Sequence, residues 1–154
     1  MMQQKMEGAG MAGSREPFFG RTELEWEELE AAGWDLLVSS AGQMTSYTDL
    51  NNDLARITSQ PAWNFSNPAD RNAMAHLLGR LADRSYAECV AAGREPVMIS
   101  ALCKFMHEND AGDGFYGKAV ELELITEGIY KDRLARWEWW AAHVGKVQAW
   151  LAER

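Results

Sequence analysis

Cysteine is scarce in this chain: Cys89 and Cys103 are the only two thiols in 154 residues. Two thiols cannot build the disulfide framework of a small secreted domain, and they are too few for a structural zinc site. Long apolar runs are missing too. No stretch approaches the run of about 18 apolar residues that a membrane span requires, so no membrane contact is expected. The first residues, Met1 to Arg21, contain no apolar signal-peptide core. A reducing, cytoplasmic setting is the resulting expectation.

Histidines are almost as few. His76, His107 and His143 stand on three separate stretches, with no HExxH, CxxC or CxxH spacing, so no metal is expected. GxGxxG and GxxxxGK[ST] are absent, which leaves a nucleotide cradle, or any other cofactor site, without support. Basic charge is short as well: the formal net charge is −8. Residues 1–43 carry 3 basic and 8 acidic side chains, whereas residues 44–100 carry 5 and 6. Generic binding to nucleic acid depends on neutralising phosphates, which this balance disfavours. The nearly neutral middle third, whose basic residues are all arginine, leaves room for a local nucleic-acid contact.

What is present is enough apolar material, 47% of residues, for one core in one domain. Residues 1–20, rich in Gly and Met, read as a tail ending in Phe18 and Phe19, which are placed to dock on the body. Residues 21–154 read as a single globular domain. Thr22 and Glu25 form a capping box for a first helix that Gly33 interrupts and Gly42 ends. Thr45 or Ser46 caps a short second helix carrying Tyr47, Leu50 and Leu54. Pro61 breaks it, and Trp63 and Phe65 pin the following loop. Asn67 caps a third helix with Pro68 at its first position. It ends at Gly93 and turns Met74, Leu77, Leu78, Leu81, Ser85 and Cys89 inward.

From Pro96 to His107 the pattern changes to a short apolar run that reads as a buried strand, followed by the turn cluster ENDAGDG. Residues 114–126 read as helix, although the Val120, Leu122, Leu124 alternation also suits a strand. The last 26 residues, from Ile129, read as one long amphipathic helix with Leu134, Trp137, Trp140, Ala141, Val144, Val147 and Leu151 inward. The fold class is therefore α+β, mainly helical, with a short β-hairpin or strand and a long C-terminal helix.

Three stretches invite a functional reading. On a strand, Cys103 and His107 share a face, the raw material of a thiol nucleophile; the ordinary alternative is a buried core thiol. On the third helix, Asn72, His76 and Arg80 recur every four residues and Arg84 follows, residue types that read base edges from a groove. The more ordinary reading is a solvated face on which Arg80 and Arg84 pair with Asp83 and Glu88. On the last helix, Trp139, His143, Lys146 and Trp150 form a second stripe suited to a protein partner or a homodimer, unless the tail or the first helix covers it.

The order of pieces from Glu30 to Phe115, with SYTDLNNDLA, NAMAHLLGRLA and MISALCKFMHENDAGDGF, resembles small uncharacterised bacterial proteins that share a TYGEL-like start, an LG-containing helix and a PLLSALV…GxGF strand-turn. It also resembles the winged-helix domain of alkylguanine-DNA alkyltransferases and alkyltransferase-like proteins. That likeness implies a winged-helix-like core with NAMAHLLG as recognition helix and Asn72 in place of the family's arginine. At the family's PCHR motif this chain has Leu102, Cys103, Lys104 and Phe105. The histidine that activates the thiol is missing, so the resemblance does not imply alkyl transfer.

Together these observations lead to the expectation of a non-catalytic module that binds a protein partner or makes a local nucleic-acid contact. Two alternatives stand beside it. One is an acidic, phage- or mobile-element-type inhibitor of a nucleic-acid-handling protein, presenting Glu23, Glu25, Glu27, Glu28, Glu30 and Asp35. The other is an enzyme built on Cys103 and His107.

Overall fold

The computed structural model describes residues 17–154; most of the expected tail lies outside them. The helices are α1 (Glu23–Val38), α2 (Tyr47–Thr58), α3 (Pro68–Ala91), α4 (Asp113–Glu121), α5 (Glu127–Lys131) and α6 (Arg133–Glu153). The strands β1 (Thr45–Ser46) and β2 (Cys103–Lys104) form a two-stranded sheet. The mainly helical α+β class is therefore observed. The strands pair in parallel, with Thr45 opposite Cys103 and Ser46 opposite Lys104, rather than as a hairpin.

Caps decide where most helices begin. The Thr22–Glu25 capping box is complete on both sides. Ser46 caps α2, and Asn67 caps α3 with Pro68 in its first turn. The expected continuous last helix is divided at Asp132, whose side chain accepts from the Ala135 amide and starts α6 afresh.

Gly33 does not interrupt α1. A Cβ there would lie 3.1 Å from Leu81 Cδ1, so the missing side chain lets α1 close on α3. Gly42, at φ +83°, turns the chain after α1, and its carbonyl accepts from Gln148 Nε2 at 2.9 Å.

Residues 96–107 are buried over Val97–Cys103 as expected, but only Cys103 and Lys104 are strand. Ile99–Leu102 is a single 3-10 turn. Side chains from α3 and α6 satisfy its backbone. Ser85 Oγ donates to the Val97 carbonyl at 2.8 Å and accepts from the Ile99 amide at 2.9 Å. His143 Nε2 accepts from the Met98 amide at 2.9 Å, and Trp140 Nε1 donates to the Ala101 carbonyl at 3.0 Å.

The inward face of α6 is thus Trp140, His143, Val144, Val147 and Trp150. This corrects the expected stripe: Leu134 is 65% exposed and Trp137 lies at the surface, its indole donating to the Asn109 carbonyl. The expected helix over 114–126 is found as α4, which stops at Glu121.

A second buried clamp holds the α2–α3 loop. The Asn51 amide donates to the Trp63 carbonyl at 2.8 Å, and its oxygen accepts from the Trp63 amide at 2.9 Å. Asn51→Ala would leave both backbone groups of a buried residue unpaired. Asn51→Ala should lower stability by about 2–4 kcal/mol, read as a shift in urea midpoint at unchanged slope.

Candidate functional site

A cavity opens between the first half of α3, the start of α2, the 105–112 bend and the start of α4. Its volume is about 600 Å³, within the ~300–1,000 Å³ usual for ligand pockets. Phe65, Met74, Leu78 and Phe115 give it an apolar wall, and Phe105 and Met106 line it as well. Those last two are 41% and 45% exposed.

Polar groups are few. Tyr47 lines the cavity while its hydroxyl accepts from the Gly112 amide at 2.8 Å; burial pushes that hydroxyl's pKa well above the usual tyrosine range. Arg71 Nη1 donates to the Phe65 carbonyl, and Lys118 lies 2.8 Å from both Asp83 and Glu121. Asp113 turns outward to Arg136 at 2.9 Å.

The expected recognition residues part company. Asn72 lines the cavity and is exposed. His76 packs instead among Phe18, Phe19 and Trp26, with ring centroids 4.7, 6.2 and 4.6 Å away. This is the expected docking of Phe18 and Phe19, and the Phe18 carbonyl accepts from Trp26 Nε1. Arg80 bonds to Glu23 at 3.0 Å and Glu30 at 2.8 Å. Arg84 approaches Glu30 at 4.0 Å and covers the Trp34 ring at 4.1 Å. These two guanidiniums are engaged by α1 rather than by the local partners Asp83 and Glu88.

The C-terminal stripe is not a continuous surface. His143 and Trp150 are 3% and 4% exposed, both inside the core. Trp150 meets Trp34 of α1 edge-on at 6.2 Å, so the first helix covers it. Trp139 is half-buried between Phe115 and His143, and Lys146 pairs with Glu95 at 2.6 Å.

Cys103 and His107 do not meet in an open site: the thiol is buried and the imidazole exposed. Burial pushes the Cys103 thiol up to about 12, away from the reactive thiolate. Among the described residues no three His, Cys, Asp or Glu side chains gather as metal ligands. No helix there is long and apolar enough to cross a membrane.

The cavity itself was missed in the sequence. The one available signal was the pair of glycines flanking Asp113, at the start of a helix with no capping side chain. Comparison of the chain with protein families, curated proteins and solved structures finds no match.

Two outcomes follow. Iodoacetamide at neutral pH should label neither Cys89 nor Cys103 in the folded protein and both in urea, read by intact mass; both thiols are buried. His143 gives a pH dependence. Burial, then Lys146, lower its pKa from 6.5 to about 4. Between those values the unfolded chain binds more protons, so stability falls as pH drops from 6.5 toward 4. The loss from this group should reach about 2–3 kcal/mol. Urea titrations at about pH 7 and about pH 4.5, on either side of most of that interval, should show it, and His143→Gln should flatten the slope.

Proposed function

We propose that this chain is a non-catalytic interaction module that receives a protein partner at the cleft between α3, α4 and the 105–112 bend. The observation that carries the reading is the pair Phe105 and Met106, exposed at an apolar cavity that a monomer gains nothing by leaving open.

Charge favours protein over nucleic acid as the partner. The chain is acidic overall, and Arg80 and Arg84, which would face phosphates or bases, are already held by α1 carboxylates. The inhibitor reading has less support for the same reason. Glu23 and Glu30 bind Arg80, Glu25 closes the capping box, and Glu28 accepts from Gln60. Within the proposal, the winged-helix likeness amounts to element order, α2 then α3 then a strand. A cytoplasmic setting fits two free buried thiols.

The test compares captures by wild type, by Phe105→Asp with Met106→Asp, and by Val90→Asp, an exposed control near the far end of α3. A discrete protein recovered in stoichiometric amount by wild type and by the control, resistant to nuclease and lost with the double variant, is the expected result. An identical set from all three, or recovery abolished by nuclease, overturns the proposal.

A further inference from the structure

Two polar features of the cleft have no partner among the described residues. Five of the six α-helices begin under a side-chain cap: Thr22, Ser46, Asn67, Thr126 and Asp132. Helix α4 begins at Gly112, which has no side chain to offer. Gly112, Asp113 and Gly114 all line the cavity. The Gly112 amide is taken by Tyr47, and the Phe115 amide by the Gly112 carbonyl. The Asp113 and Gly114 amides have no hydrogen-bond acceptor among the described residues. Free amides at a helix start, with the positive end of its dipole, suit an anionic oxygen.

A second and independent feature is Ser100. It lines the same cavity, is 3% exposed, and its hydroxyl has no hydrogen-bond partner among the described residues. Its neighbours in the same buried segment are bonded from α3 and α6, as the Ser85, His143 and Trp140 contacts show. A buried hydroxyl left unpaired is destabilising, and a ligand atom inside the cavity would satisfy it.

We infer that the cleft receives the C-terminus of the partner chain, its last apolar side chain filling the cavity and its free α-carboxylate held at the start of α4. This rests on the cleft being the contact surface proposed above and names what enters it. Chain-terminal carboxylates are commonly captured by backbone amides of this kind. Arg71, which makes no ion pair among the described residues, supplies positive charge at the wall, and Lys118 adds a cation already shared with Asp83 and Glu121. The one lining carboxylate, Asp113, is neutralised by Arg136. The apolar walls and the exposed Phe105 and Met106 fit a peptide chain continuing outward.

The test uses N-acetyl-Gly-Gly-Leu, -Met and -Phe, each as free acid and as C-terminal amide, added to isotope-labelled protein and followed by amide chemical shifts. The free acids should shift Asp113, Gly114 and Ser100 saturably, with the amides at least tenfold weaker. Arg71→Ala and Ser100→Ala should each weaken the acids several-fold, Ala75→Trp should block the cavity, and Val90→Asp should change nothing. Equal binding of acid and amide at these residues overturns the carboxylate assignment while leaving the cleft as a contact surface. If no peptide perturbs the cleft although Phe105 and Met106 remain essential for capture, the chain-terminus inference fails and the interaction proposal stands. If capture also ignores Phe105 and Met106, both fail.

Discussion

Everything in this fold is arranged around a buried stretch of backbone that makes almost no sheet. Val97 to Cys103 runs through the core with a parallel partner only at its end, at Cys103 opposite Thr45. A chain in that position cannot leave its amides and carbonyls dry and unpaired. Ser85, His143 and Trp140 supply the missing bonds, so α3 and α6 are fixed relative to the segment by directional contacts as well as by packing. The tryptophan and the histidine are therefore polar components of the core, and the histidine must stay neutral to accept from Met98. The acid sensitivity assigned to His143 is a direct consequence of that geometry.

The acidic first helix is tied into the same framework. Its carboxylates approach α3 from the side, and Arg80 bridges Glu23 and Glu30. Arg84 and Arg154 both lie against the Trp34 ring, and Arg154 pairs with Glu88. Such partly exposed pairs contribute modestly to stability. Their larger effect is on what the surface can do, because charges engaged with one another are not offered to a partner.

Much of the local structure was legible in the sequence, and the reason is specific. Caps are short-range devices, so Thr22, Asn67 and Pro68 announced their helices within a few residues. The anchoring of Trp63 and the inward stripe of α3 were legible for the same reason, periodicity or a nearby breaker. The strand assigned to Pro96–His107 illustrates the opposite case. Apolarity and length reported burial correctly, but a buried run looks the same whether a ladder or side chains satisfy its backbone. The α6 stripe was displaced for a related reason: Trp137 and His143 were sorted by hydrophobicity, and the fold sorts them by which one can accept from Met98. Arg80 could not be assigned from its own helix, since its partners Glu30 and Glu23 lie 50 and 57 residues away in α1.

The cleft lay outside this kind of reading because it is made of omissions. ENDAGDG reads as an ordinary turn; in the structure it is a bend that runs directly into α4. Gly114 is needed there because a Cβ would come within 3.1 Å of Ala75. Gly112 differs: a Cβ at that position would sit at ordinary contact distance, 3.4 Å from Phe105 and 3.6 Å from the Tyr47 hydroxyl. A close approach thus explains Gly114 without any ligand, and packing does not require Gly112. As a glycine, the residue before α4 carries no capping oxygen, and the helix opens into the cavity with the Asp113 and Gly114 amides bare. Packing alone would be served by an apolar floor. The buried hydroxyl of Ser100 is the feature that packing does not explain, and it is what shifts the balance toward an occupied cleft.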